Sequence, residues 1–384
     1  MRGNAIYLKI FLVLCVFLIG NAQGQQKAIW KGSTEVENGI KVVKNPHEPF
    51  YGEMKLEFEE ELSIGRKNSA EYSFYLISDV KSDNQGNIYV ADTKNLRVQK
   101  FDSNGKYIKT LGKGVVKFQQ PSKIQIDNLS GSIFVRAFVL DIEIFDNKDQ
   151  PKNGVHLKKN VIHDFKPIDD NHVMSILGIK NEKEQKYMRS LFRLGSDGEI
   201  KKISPDYIYN MVIEKIGEAI VSSDSGFELN LYLSKIDEKS FVYGYSKEYE
   251  LNVIDKDGKV LYRIKKNEPR PIFTTEERKI FKHGPVPEFK PYFFNLLTDS
   301  KGRIYVQRNK TKGILNTVQE NTNREVDIFS KDGYFLYKST LPPNTCEIKN
   351  GFLYAYAVNE VNGLESVKRY RIKNWEKMGE RIEH

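Results

Sequence analysis

The sequence predicts an all-β fold: a six-bladed β-propeller with four antiparallel strands per blade and an N-terminal strand closing the last blade. Three observations predict it. Residues 77–112 hold four short apolar or alternating segments (ISDVKSD, NIYVAD, LRVQKFD, KYIKTLG) separated by turn formers. That pattern recurs five more times. A strand-like segment, 54–65 (MKLEFEEELSIG), stands alone ahead of the first full unit. Four strands in so short a stretch make one sheet that cannot cover both its faces, so each sheet needs neighbours, which is the physical logic of a repeat architecture.

The elements follow in chain order. Arg2 and Lys9 flank a polar start, and residues 10–19 (IFLVLCVFLI) are an unbroken apolar run. At about 1.5 Å per residue the run is too short for a hydrocarbon core of about 30 Å. It has the size of a signal-peptide h-region, with Ala22 and Gly24 as the small residues before a cleavage site. The expected organisation is a signal peptide at 1–24, a lead segment at 25–53, the propeller at 54–378 and a tail at 379–384. The protein is thus expected to be exported, periplasmic or secreted, with no transmembrane span after cleavage. Cys15 leaves with the leader, so Cys346 alone remains and the core must come from packing without an intramolecular disulfide. Cys346, in the strand-like TCEI, reads as a small buried hydrophobe.

The remaining units centre on Ile133 (SIFVRAF, IEIFDNKDQ), Val173 (HVMSIL, SLFRLGSDGEIKKI), Phe241 (SFVYGY, YELNVIDKDGKVLYRI), Ile304 (RIYVQR, VDIFSKDGYFLYKSTL) and Phe352 (FLYAYAV, VKRYRIKNW). From Ile88 onward their second strands start 45, 40, 68, 63 and 48 residues apart. The two long gaps hold insertions at 204–231 and 267–293, and a third, 308–325, lengthens a loop inside the fifth unit. Regular internal spacing with irregular loops is what a propeller requires, because sheets pack radially while loops project from the faces. The 204–231 stretch is itself strand-rich, which leaves a seventh blade open. Asn104-Gly105 and Asp257-Gly258 read as hairpin turns. The segment 54–65 is expected to pair with the last blade, around 344–373, hiding an exposed edge. Thr274-x-x-Glu277 is a capping box for a short helix over one face.

The stretch 86–112 (GNIYVADTKNLRVQKFDSNGKYIKTLG) resembles the NHL repeat. The order VVKNPHEPFYGE, LSIG, the NHL-like unit, FQQPSKIQID, YELNVIDKDGKVLYRI and FTTEERK resembles a secreted bacterial six-bladed propeller family of NHL/TolB-like type over about residues 40–375. Members often carry a GxGPGEF-like stretch after the first blade. Here 113–121 (KGVVKFQQP) keeps Phe118 and Pro121 and lacks the glycine-proline core. The resemblance implies architecture and no specific activity.

Candidate chemical groups are few. Asp92, Asn95 and Arg97 (ADTKNLR) are expected to bond backbone groups and fix a repeat turn, the structural use NHL repeats make of them. Asp79, Asp83, Asp127, Asp169, Asp237 and Asp299 are expected to be acceptors in the turns between first and second strands. His163 and His172, near Asp164, Asp169 and Asp170, are a conceivable metal pair but lack HExxH, HxH or Cys/His spacing and read more readily as a solvated loop. No catalytic residue, metal ligand, ligand-binding residue or cofactor is assigned. No G-x-S-x-G, Walker or G-x-G-x-x-G motif is present.

The chain is basic, with a formal net charge of +9, of which Arg2 and Lys9 leave with the leader. Lysines cluster at Lys100, Lys106, Lys109, Lys113, Lys117 and Lys123. Export argues against nucleic acid and for a protein or anionic glycan partner. The favoured reading is a monomeric, non-catalytic binding or scaffolding module with its ligand on one propeller face. The alternative is a metal-dependent hydrolase or lyase with its site at the channel mouth.

Overall fold

In the computed structural model the described residues are 30–65, 69–181, 186–209, 212–216, 219–223, 227–278, 288–308, 323–359 and 361–379. The leader, His283, His384 and most of the 308–325 insertion lie outside them. The chain starts with a hairpin of β1 (Ser33–Glu37) and β2 (Ile40–Asn45). Its turn, Asn38-Gly39, takes positive φ at both residues, 52° and 77°, as a two-residue hairpin demands. After it comes β3 (Phe58–Ile64).

Six sheets of four consecutively paired strands then follow. Blade 1 is β4 (Ile77–Ser82), β5 (Ile88–Asp92), β6 (Arg97–Phe101) and β7 (Tyr107–Thr110). Blade 2 is β8 (Lys123–Ile126), β9 (Ile133–Phe138), β10 (Asp141–Phe145) and β11 (Pro151–His156). Blade 3 is β12 (Val161–Pro167), β13 (His172–Asn181), β14 (Lys186–Gly195) and β15 (Ile200–Lys202), with β16 (Tyr207–Tyr209) also paired to β14. The next strands, β17 (Val212–Ile216) and β18 (Ala219–Ser223), pair only with each other, so this stretch is an isolated hairpin and no seventh blade.

Blade 4 is β19 (Leu231–Lys235), β20 (Ser240–Tyr245), β21 (Glu250–Asp255) and β22 (Val260–Lys266). A single helical turn, α1 (Thr275–Arg278), follows where the capping box stands; 279–287 lie outside the described residues. Blade 5 is β23 (Asn295–Thr298), β24 (Ile304–Gln307), β25 (Arg324–Phe329) and β26 (Phe335–Leu341). Blade 6 is β27 (Thr345–Lys349), β28 (Phe352–Val358) and β29 (Glu365–Ile372), completed on the outside by β3. The closing pair is antiparallel, from Val367 opposite Ile64 to Ile372 opposite Phe58. Closure is therefore by the N-terminal strand at the last blade, as the lone segment 54–65 suggests.

The segment ahead of β3 also belongs to the ring. The strand β2 lies parallel to β22 and widens blade 4 to six strands. Asn45 then accepts the Phe335 N–H (2.8 Å) and donates to the Gly333 carbonyl (2.8 Å) in blade 5. Phe50, Tyr51 and Met54 donate their N–H groups to the carbonyls of Phe335, Leu336 and Lys338 along β26. Residues 33–64 thus run as a belt along the outer edges of blades 4, 5 and 6 in turn.

The core sits between blades. One buried cluster joins Tyr89, Ala91 and Val98 of blade 1 to Ile124, Ile133 and Phe145 of blade 2. Equivalent clusters join blades 2 and 3, 3 and 4, 4 and 5, and 6 and 1. The connection 113–121 packs into the first of these through Phe118, and the Pro121 carbonyl accepts the Thr93 hydroxyl at 2.7 Å. The innermost strands β4, β8, β12, β19, β23 and β27 touch their neighbours around a closed circuit and form the wall of a central channel.

Antiparallel order fixes which loops share a face. Turns from first to second and from third to fourth strands lie on one face; connections from second to third strands and from blade to blade lie on the other. Among the described residues no helix is long and apolar enough to cross a membrane.

Candidate functional site

Asp92 is fully buried at the end of β5. Its carboxylate accepts Arg97 Nε at 2.8 Å, Asn95 Nδ2 at 2.9 Å and the Tyr75 N–H at 2.8 Å. Arg97 spends its other donors on the carbonyls of Ala70 (2.7 Å) and Ser73 (2.8 Å). The three residues bind the chain entering blade 1 and direct no hydrogen bond outward.

The turns from first to second strands repeat one device. Oδ1 of Asp83, Asp169, Asp237 and Asp299 accepts the N–H two residues on, from Gln85, Asn171, Lys239 and Lys301, all at 2.9 Å. Asp127 varies it, accepting with Oδ2 the N–H three residues on, from Ser130, at 3.0 Å. Such side-chain turns are a standard use of aspartate. Asp79 is the exception. It lies within β4, not in the turn, because a register shift between Ile77 and Asp79 turns its carboxylate toward blade 2, where it accepts the Ile124 N–H at 3.0 Å. Asn104-Gly105 also differs from a simple two-residue turn. Only Gly105 has positive φ, 79°, the strands meet through a bulge, and Asp102 accepts the N–H groups of Asn104 and Lys106.

The lysine cluster does not form one surface. Alternation along β6 sends Lys100 into the joint with blade 2, where it meets Asp149 at 3.0 Å; Lys109 meets the same carboxylate at 2.7 Å. Lys123, on the innermost strand of blade 2, is half-buried, while Lys106, Lys113 and Lys117 are exposed.

His163 and His172 stand at opposite ends of the β12–β13 pair and do not converge. The His163 ring fills the space over Gly178, where a Cβ would stand 2.4 Å from Nε2. Burial, with Arg189 and Arg136 nearby, pushes its pKa down to about 3. His172 is tied to Asp169 at 2.8 Å in a turn. Among the described residues no three His, Cys, Asp or Glu side chains come together to hold a metal ion.

The channel wall carries the chemistry that sequence reasoning missed. Three adjacent blades each place two polar residues at i and i+2 on their innermost strand: Asp79 and Lys81, Lys123 and Gln125, Asp164 and Lys166. Lys81 Nζ bonds Asp79 Oδ1 at 3.0 Å and the Cys346 carbonyl of blade 6 at 2.6 Å. Lys166 reaches Asp164 only at 3.5 Å. Burial lowers the Lys166 pKa against the pull of Asp164, and Lys123 and Lys81 add repulsion. Burial would raise Asp164, but Lys166 and Lys123 hold it below the ordinary value. Cys346 lies in this wall as a half-buried free thiol, pushed up to about 12 by burial and by Asp79. The sequence signal was the D-x-K spacing in SDVKS and HDFKP, the first strands of blades 1 and 3.

The channel opens on the turn face into a cavity of about 390 Å³, lined among others by Lys81, Gln125, Lys166, Ser234 and Glu347. A second cavity, about 520 Å³, lies between blades 4 and 5 under the belt. Its charges are mutually satisfied. Lys266 meets Asp327 at 2.7 Å and Glu268 at 2.8 Å, and Arg308 meets the same two carboxylates at 2.8 and 2.9 Å. Tyr249 donates to Asp327 at 2.6 Å, and His47 of the belt reaches Glu268 at 3.2 Å. Burial would raise the Glu268 carboxyl, but Arg308 and Lys266 hold it at about 2. This cluster reads as a joint between belt and ring.

Residues 74–101 match the NHL repeat family. Among solved structures, a member of the DUF4221 family from Bacteroides vulgatus superposes with a TM-score of 0.52 at 11% identity, covering 83% of this chain and 98% of its own. That likeness shows the propeller fold. Regucalcin from Agrobacterium tumefaciens, described as a calcium-binding protein, has a TM-score of 0.41 at 12% identity over 84% of this chain and 96% of its own. Virginiamycin B lyase from Staphylococcus aureus has 0.42 at 8% identity over 82% and 99%. Neither of these two likenesses carries an argument about activity. No curated protein sequence matches the chain.

Proposed function

We propose that this NHL-type propeller is an exported, non-catalytic binding module of a secreted bacterial kind, engaging a protein or anionic glycan on the face that carries its long connections. One observation supports the choice of face. The three long connections leave the ring at Tyr209, Lys266 and Gln307 and re-enter at Leu231, Asn295 and Arg324, all on the same side. The opposite face carries short aspartate-anchored turns. Binding residues concentrate on variable loops held by a rigid scaffold, and a chain that stays basic after Arg2 and Lys9 are taken from its formal net charge of +9 favours an acidic ligand.

Exchanging the three connections for short turns is expected to weaken retention on immobilised polygalacturonate or heparin at least tenfold while the ring still melts cooperatively. Undiminished retention would remove the basis for this face. Export rests on the apolar run 10–19 and the small residues Ala22 and Gly24. Intact mass of the protein recovered outside the cytoplasm is expected to correspond to a chain starting at Gln25; recovery of the full-length mass from the cytoplasm alone contradicts export.

A further inference from the structure

We propose that the rim of blade 1 docks on an anionic membrane surface through Tyr75, Leu76, Leu96 and Val115, with Lys94, Lys113 and Lys117 meeting the lipid headgroups. This rim belongs to the face of the long connections but lies outside them, so it does not depend on what they bind.

The apolar side chains gather on one face. Tyr75 is 64% exposed, Leu76 43%, Leu96 52% and Val115 74%, and Val361 beside them in blade 6 is 95% exposed. They occupy the entry to β4, the β5–β6 turn, the link from β7 to β8 and the β28–β29 turn. Hydrogen bonds hold these pieces side by side. The N–H groups of Thr93 and Lys94 donate to the carbonyls of Leu76 and Tyr75, both at 3.1 Å, and the Leu111 N–H donates to the Val98 carbonyl at 2.8 Å. The Ile77 N–H donates to Glu365 Oε2 at 2.6 Å, next to the β28–β29 turn. In the turns of the opposite face only Leu129 exposes a large apolar side chain, among the described residues.

Two of these residues are also strained. Leu76 and Leu96 take φ of 64° and 53°. Left-handed backbone is ordinarily left to glycine or asparagine, and a bulky side chain there is uncommon. Neither leucine is buried, so the strain points to a use outside the fold.

Charge indicates the partner. Lys94, Lys113 and Lys117 are exposed, and among the described residues their ammoniums have no ion pair or hydrogen bond. Of the carboxylates nearby only Glu71 is exposed; Asp92 is buried on Arg97, and Glu365 holds the Ile77 N–H. Apolar tips among lysines suit a bilayer interface, where the tips enter the acyl boundary and each lysine adds attraction to anionic lipid. Tyrosine favours the same depth. The side chains top separate turns and line neither cavity, an arrangement that enters a fluid interface more readily than it seats a protein side chain.

The test is flotation of the mature chain with vesicles of phosphatidylcholine mixed with phosphatidylglycerol, or of phosphatidylcholine alone. The mixed vesicles are expected to bind about tenfold more strongly, an excess that high salt removes. Leu76→Asn with Leu96→Asn puts into both left-handed positions a residue that accepts them. This double variant is expected to melt no lower than the parent yet to bind mixed vesicles about tenfold more weakly. Exchanging Lys94, Lys113 and Lys117 together for Gln is expected to abolish the preference for anionic lipid. Leu129→Asn, on the other face, and the variant with exchanged connections are expected to bind as the parent does, which separates this surface from the one those connections form. Undiminished binding by the double variant, an equal loss in Leu129→Asn, or capture of an acidic peptide without binding to either vesicle overturns the proposal.

Discussion

Deleting residues 31–65 is expected to leave a chain without a cooperative thermal transition. The belt contributes Val42, Val43, Leu56 and Ile64, all less than 5% exposed. At about 1.5–3 kcal/mol for each buried aliphatic side chain, their burial amounts to about 6–12 kcal/mol. That is as large as the entire stability of an ordinary domain, about 5–15 kcal/mol. The deletion also strips the hydrogen-bond ladder from β29 and leaves a raw sheet edge that invites aggregation. Gly65 shows how tightly the closure fits: a Cβ there would stand 2.6 Å from the Glu365 carbonyl. A shorter deletion, 31–53, keeps β3 and so the closed ring, and is expected to melt cooperatively at a lower temperature. Calorimetry and light scattering check both. An unchanged transition after removal of 31–65 would contradict closure by this strand.

The second large effect is expected at the joint of blades 5 and 6. Arg303 and Asp299 are both fully buried and paired at 2.7 Å. Tyr305 donates to the same carboxylate at 2.8 Å, and the guanidinium also reaches the Met378 carbonyl at 3.1 Å and covers the Trp375 ring at 4.1 Å. Breaking a buried pair by removing one partner typically costs about 3–5 kcal/mol, because the other charge is left without compensation. Arg303→Met is therefore expected to lose about that much in urea unfolding. Adding Asp299→Asn should recover a large part of the loss, since no uncompensated charge remains. A single variant within 1 kcal/mol of the parent, read against the usual error of such measurements, would show that the pair contributes little.

The ring itself was legible because its signals are local. Alternation, turn formers and the aspartates of the first turns recur within each unit, so Ile88, Ile133, Val173, Phe241, Ile304 and Phe352 mark second strands that the structure contains. The lone segment 54–65 was legible for the same reason, a strand with no neighbour in sequence. The hairpin β1–β2 was not, because nothing local says that a lead segment will lie parallel to β22, more than 200 residues away. The second turn device was half legible: glycine at 105 was required, but the bulge and the Asp102 cap replaced the positive φ expected of Asn104.

Charge was the least legible feature. Lys100, Lys109 and Lys123 look alike in sequence, and only inter-blade packing decides that the first two meet Asp149 and the third does not. Channel residues are also hidden by their strands. Asp79 sits one turn of the pattern before the turn aspartate Asp83, and a bulge, invisible in sequence, separates their roles. His163 and His172 are close in number but lie at opposite ends of one strand pair.

Hydrogen–deuterium exchange of the mature chain with and without polygalacturonate tests the central claim most directly, because it reads which face of the ring a ligand covers. Binding on the face of the long connections predicts slowed exchange in 203–230 and 267–294 and at the entry of the innermost strands around Leu231 and Asn295. Protection confined to the aspartate turns of the other face or to the outer strands, or no protection at any concentration, would contradict it.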